Sequence, residues 1–127
     1  MKKKAIDVSV VILSFNSVTY IEKCLNSLFV SFEECNLQGE VTVVENGSSD
    51  GSIDILKKMQ DQYPDILHVI FQEFNTGTTR SRNRALKRST GKYILILDSD
   101  AYMNSETLDK LIFYLEKNLK VGLVAPG

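Results

Sequence analysis

The chain is poor in residues that staple small scaffolds or hold metals unaided. It has two cysteines, Cys24 and Cys35, and one histidine, His68, in 127 residues. Two thiols at that separation make neither a zinc knuckle nor a disulfide framework, so reduced thiols and a cytoplasmic or cytoplasm-facing location are expected. His68 has no Cys or Asp at catalytic spacing, and a structural role is expected for it. Long apolar runs are missing too: nothing approaches the roughly eighteen residues of a spanning helix. The basic start Met1-Lys2-Lys3-Lys4 is followed by Asp7 and a short run containing Ser9, which is not the layout of a signal peptide. Charge of one sign is also lacking. With 15 basic and 16 acidic side chains the net charge is −1, so no overall field favours nucleic acid or an anionic membrane. Walker loops, GxGxxG patterns and nucleophile elbows do not occur, nor do internal repeats or low-complexity tracts.

What is present is alternation. At 43% hydrophobic and 24% charged, the composition fits one globular domain with one core. Val8–Ser14 (VSVVILS) reads as a strand buried on both faces. Val18, Ile21, Leu25, Leu28, Phe29 and Phe32 then recur at helical spacing, with Asn16 or Ser17 as the cap. Val41–Glu45 reads as a second strand, and NGSSDGS as a turn with a helix cap at Asp50 or Ser52. Ile53–Gln62 is helical until Pro64, and Leu67–Phe71 is a third strand. Thr78–Ser89 reads as a basic helix closed by Thr90-Gly91, with the glycine in the left-handed cap. Tyr93–Leu97 is a fourth strand, Ser105–Asn118 a helix capped by Ser105, and Val121–Val124 a fifth strand. The order implies an α/β, Rossmann-like, mostly parallel sheet with helices on both faces. Ligands of such sheets bind beyond the carboxyl ends of the strands. The polar clusters Ser14-Phe15-Asn16, Glu45-Asn46-Gly47 and Asp98-Ser99-Asp100 sit at those ends.

The acid pair is the sharpest chemical signal. Two aspartates side by side repel, and burial raises their pKa, so a positive group is wanted beside Asp98 and Asp100. At i and i+2 of an extended segment they face the same side, and their oxygens suit Mn²⁺ or Mg²⁺ carrying phosphate oxygens and water. Alternatively one aspartate caps the next helix and the other is solvated. Glu45 can accept from a base edge or a ribose, and Gly47 and Gly51 allow close backbone approach. The bland reading of that stretch is a polar turn, with Asp50 a helix cap or a ligand contact. Phe15 either stacks on a base or packs under the first helix. In RSRNRALKR, Arg80, Arg84, Lys87 and Arg88 share one helical face, the usual solvated one, and nucleic-acid binding is not expected. Arg82 falls on the opposite, small-residue side, where it meets either a phosphate or a core-edge carboxylate.

Taken together, VSVVILSFNSVTYIEKCLNSL, VVENGSSDGS and FNTGTTRSRNRALKRSTGKYILILDSD resemble the donor-binding half of inverting family 2 glycosyltransferases with the GT-A fold, over nearly the whole chain. The resemblance implies a nucleotide-diphosphate sugar donor (UDP-, GDP- or dTDP-linked) and a divalent cation. It places Phe15 by the base and Glu45 on the base. Asn75 and Gly77 would shape the loop after the third strand, and Arg82 would lie near phosphate. Asp98 would touch ribose or metal, and Asp100 would hold the metal on the diphosphate. Glu45 stands where the family usually has Asp, and Ala85 where Gly is common. Residues 1–127 are expected to be one donor-binding portion, ending where the family's sheet is half built. The acceptor part and its general base would then lie elsewhere, leaving this piece to bind donor but transfer poorly. An exposed sheet edge makes self-association plausible. The competing readings are a receiver domain, a haloacid-dehalogenase-like phosphatase, and a non-catalytic nucleotide-binding scaffold.

Overall fold

The structure is a computed structural model that describes residues 5–118. Its elements alternate as β1 (Val8–Ser14), α1 (Ile21–Glu34), β2 (Gly39–Glu45), α2 (Ser52–Gln62), β3 (Leu67–Phe71), α3 (Thr78–Arg88), β4 (Tyr93–Asp98) and α4 (Ser105–Lys117). Every pairing among them is parallel, in the order β3-β2-β1-β4. The fifth strand expected at residues 121–124 lies outside the described residues.

Strand alternation explains how the helices are shared between the faces. Val8, Val10 and Ile12 of β1, with Val41 and Val43 of β2, point into the larger core. There they meet Leu25, Leu28 and Phe32 of α1, Leu56 and Met59 of α2, and Leu108 of α4. Val11 and Val44 point the other way, to Ala85 of α3, with Leu13, Ile70 and Leu86 around them. The strongly apolar β1 is therefore the strand buried on both sides, as its unbroken run implies. β4 has only β1 as neighbour among the described residues, and its Ile94 and Ile96 remain about half exposed.

Chain direction reverses beside β1. From β1 the chain winds outward through β2 to β3, then α3 crosses back over β2 and β1 to set β4 on the far side of β1. In open α/β sheets the crevice at such a reversal is where ligands bind. Here it lies between the carboxyl ends of β1 and β4.

The helix ends depart from the expected caps. Tyr20, not Asn16 or Ser17, is the N-cap of α1 and makes no side-chain cap bond; the Ser17 carbonyl accepts from the Tyr20 and Ile21 N–H groups instead. Gly51 is the N-cap of α2, at φ 98°. Asn104, not Ser105, caps α4 by accepting from the Thr107 N–H at 2.8 Å. Gly91 is outside the left-handed region. Its glycine is required by crowding: a Cβ there would lie 2.6 Å from the Ser9 nitrogen.

Candidate functional site at the carboxyl edge of the sheet

The strand tips end level. Ser14 pairs with Glu45, Glu45 with Phe71, and Leu13 with Asp98. Register alone thus brings residues from all four strands to one rim.

The loops after β1 and β2 are laced together. The Asn16 N–H donates to Ser48 Oγ at 2.8 Å, and Asn16 Oδ1 accepts from the Ser49 N–H at 2.9 Å. The Ser17 N–H donates to Ser52 Oγ and the Val18 N–H to Asp50 Oδ2, each at 3.0 Å. Asp50 also accepts from the Ser52 N–H and hydroxyl, which holds its carboxyl below the usual value. Asn16 takes a positive φ of 49° to make these contacts, a conformation Asn tolerates better than most residues. Phe15, between Ser14 and Asn16, is 51% exposed on this pinned loop. It stands at the rim instead of packing under α1.

Glu45 is placed differently from its sequence assignment. It is wholly buried, with Oε1 accepting from the Ser48 N–H at 2.5 Å and Oε2 from the Ser48 hydroxyl at 2.9 Å. In this structure the carboxylate acts as a post under the turn. Gly47, at φ 77°, allows close approach by the chain's own backbone: a Cβ there would lie 2.8 Å from Phe74 Cα.

After β3, Asn75 Oδ1 accepts from the Gly77 N–H at 2.8 Å, a local turn that sets Gly77 as the N-cap of α3 at φ 88°. Nothing crowds Gly77, so there the conformation itself demands glycine. Arg82 is partly buried, and its Nε is sealed from solvent without a partner. The core-edge ion pair considered for it is not found among the described residues. Arg84, assigned to a solvated face, turns inward with one nitrogen: Nη1 donates to Gln72 Oε1 at 2.6 Å. Gln72 and Ser81, both buried, are site-edge residues that sequence reasoning passed over. A polar residue directly after an apolar strand was the available signal for Gln72.

Asp98 ends β4, and both Asp98 and Asp100 are exposed. The extended geometry expected through Asp100 does not hold: the Ala101 N–H donates to the Asp98 carbonyl at 3.0 Å, closing a turn. Both carboxylates still lie near the same group. Buried Cys24 of α1 has its thiol pushed up to about 11, first by burial and then by the charges of Asp100 and Asp98. Among the described residues neither aspartate has a basic partner, and no third His, Cys, Asp or Glu completes a metal-holding group. Two exposed carboxylates without a third protein ligand suit a hard cation whose remaining ligands are phosphate oxygens and water.

A separate cavity lies at the other end of the sheet. A space of about 980 Å³ opens at the amino ends of the strands, lined in part by Gln38, Glu40, His68, Arg88 and Lys92. His68 there is held below its usual pKa by burial and by the Arg88 charge. That cavity lacks the paired acids and faces away from the strand tips, so the rim is the better site on chemical grounds.

The sequence pattern described as glycosyl transferase family 2 matches residues 9–126. The chain belongs to that family. Among its relatives is TuaG of Bacillus subtilis (strain 168), named for teichuronic acid biosynthesis, which is 34% identical over 87% of this chain and 43% of that protein. The poly(ribitol-phosphate) beta-glucosyltransferase of Bacillus spizizenii is 36% identical over 87% of this chain and 17% of that protein. Among solved structures, Staphylococcus aureus TarS 1–349 in complex with UDP superposes at TM-score 0.72 with 30% identity, over 95% of this chain and 38% of that one. The mannosyltransferase PcManGT of Pyrobaculum calidifontis, in complex with GDP-Man and Mn²⁺, superposes at 0.77 with 25% identity, over 88% of this chain and 33% of that one. The fold of this family 2 chain is thus the GT-A type, and the chain spans less than half the length of each of these relatives. Among the described residues no helix is long and apolar enough to cross a membrane.

Proposed function

We propose that this family 2 chain is the donor-binding portion of an inverting glycosyltransferase, taking a nucleotide-diphosphate sugar and delivering the sugar to an acceptor hydroxyl. The observation that carries the reading is the exposed, unpaired Asp98 and Asp100 at the end of β4. They lie one strand from exposed Phe15, where the sheet order reverses. The UDP of one structural neighbour and the GDP-Man and Mn²⁺ of another support a UDP-, GDP- or dTDP-sugar and a divalent cation.

Each residue contributes by its placement. Phe15 offers a flat face to the base. Glu45 supports the Ser48 turn beside it by accepting from the Ser48 N–H and hydroxyl, and its remaining lone pairs are the acceptors we assign to a base donor. Asn75 and Gly77 shape the start of α3, and Arg82 on that helix addresses the diphosphate with a planar fork of donors. Asp98 and Asp100 would hold Mn²⁺ or Mg²⁺, which when bound supplies Lewis-acid neutralisation of the departing diphosphate. With inversion, the acceptor hydroxyl attacks the anomeric carbon from the face opposite the leaving group. No residue of this chain is assigned as its general base; that group is placed in the acceptor-binding part. The two free thiols fit a location on the cytoplasmic side.

Calorimetry with UDP and GDP, each with and without Mn²⁺, tests the reading. Metal-dependent binding that Asp100→Ala weakens at least tenfold, about 1.4 kcal/mol, supports it. Binding indifferent to metal and to that substitution refutes it.

A further inference from the structure

Between the ends of β2 and β3 and the start of α3 lies a buried polar cluster that converges on one oxygen. Asn46 Oδ1 accepts from Ser81 Oγ at 2.8 Å and from Gln72 Nε2. Gln72 Nε2 also reaches Thr76 Oγ1 at 3.1 Å and Ser81 Oγ at 3.3 Å. From outside, the Arg84 guanidinium donates to Gln72 Oε1 at 2.6 Å, a charge-assisted bond and so among the stronger kind. Gln72 is itself an extension of the sheet, its N–H donating to the Glu45 carbonyl at 2.9 Å.

Apolar packing does little to orient α3. Its buried positions are Ser81 and Ala85 alone, with Leu86 partly buried beside them. Dispersion contacts of a methyl group and one half-covered leucine are non-directional, whereas a hydrogen bond to a fixed acceptor restricts angle as well as distance. The bonds of Ser81 to Asn46 and of Arg84 to Gln72 are therefore the directional contacts that this helix makes with the strand ends. Arg82 follows Ser81 directly, about 100° further round, and no protein acceptor holds its Nε among the described residues.

We propose that Asn46, Gln72 and Ser81 are positioning residues that lock the rotation of α3 and thereby aim Arg82 at the donor's diphosphate. The proposal rests on the donor-binding reading above. All three side chains are buried and act through the helix. Asn46 acts through its oxygen, the only one of its side-chain atoms in the cluster's bonds. Asn46→Asp accordingly keeps the acceptor, and Asn46→Ala removes it. Ser81→Ala breaks the helix's own bond while favouring the helix by propensity.

The test measures binding of UDP with Mn²⁺ to the full chain by calorimetry, binding of uridine by ligand-observed NMR, and thermal unfolding of each variant. Ser81→Ala and Asn46→Ala should each weaken UDP roughly fivefold, the equivalent of one net hydrogen bond. Uridine binding should be unchanged, and Asn46→Asp should regain the parent's UDP affinity. The inference is overturned, with the donor reading intact, by any of three results. Both alanine variants bind UDP like the parent; they lose UDP and uridine alike in step with a lowered melting temperature; or Asn46→Asp behaves like Asn46→Ala. If the parent chain binds no nucleoside diphosphate, the donor reading fails first and takes the inference with it.

Discussion

The Cys24 thiol lies 3.7 Å from the main-chain carbonyl oxygen of Asp98 and donates to it. Residues 74 apart in sequence thus join the first helix to the turn that carries both aspartates. The same turn is held further along, where the Met103 N–H donates to Ser27 Oγ at 3.0 Å. Helix α1 is the bench on which the acid-bearing segment rests.

That arrangement makes the two thiols chemically distinct. Cys24 is fully buried, and its thiol is pushed up to about 11. Cys35 is also raised, by burial and then by Asp109 and Glu34, yet it is only partly covered. The thiolate is the reactive form, so iodoacetamide at pH 8 should alkylate Cys35 well before Cys24, read by peptide mass spectrometry. Equal rates in the folded protein would mean that α1 does not pack under the turn.

Asp50 should give stability an acid limb. Hydrogen bonds from Ser52, then Val18, lower its folded pKa, so the folded chain holds the charged form more tightly than the unfolded chain does. The sign follows from linkage: this contribution is fully present above the unfolded aspartate pKa of about 3.9 and is lost as pH falls through the lower folded value. Urea unfolding from pH 7 down to pH 3 should show parent and Asp50→Asn farthest apart at neutral pH and converging in acid. Curves that stay parallel throughout would remove Asp50 from the lacing of the two loops.

Two glycines should fail for different reasons when changed to alanine. At Gly91 the new Cβ meets the Ser9 backbone at 2.6 Å, a clash with atoms that cannot swing away, costing about 1–3 kcal/mol. At Gly77 nothing lies within 4 Å, so only the backbone strain of φ 88° is felt, also about 1–3 kcal/mol. Both substitutions lower chemical-denaturation stability. Only Gly77→Ala should also weaken UDP binding, because only Gly77 begins the helix that bears Arg82. The opposite pattern would place the nucleotide at the amino ends of the strands.

Much of the fold was legible because local patterns carry it. VSVVILS has no polar face and became the central strand; LHVIF was bounded correctly at both ends. The caps were not legible: neither of the two candidates at α1 (Asn16, Ser17) or at α2 (Asp50, Ser52), nor Ser105 at α4, became the N-cap, because Asn16, Ser17, Asp50 and Ser52 are used to join the loops after β1 and β2. Asn16 or Ser17 was expected to cap α1, yet the Asn16 side chain binds Ser49 across 33 residues of sequence. Glu45 was expected to face a ligand, and its partner turned out to be Ser48, three residues on. Arg84 was placed with the solvated arginines by helical phase alone, which says nothing about a glutamine on a neighbouring strand.

By itself the sequence determined the strand and helix periods, the parallel α/β class and the family, because each depends on residue type and spacing within one short segment. Tertiary structure decided which carboxylates face out and which face in, and which polar side chains bond α3 to the ends of β2 and β3. Those outcomes depend on hydrogen bonds between segments that become neighbours only once β1 lies between β2 and β4. Hydrogen bonds are short and directional, so which groups they join is settled by packing and register, not by composition.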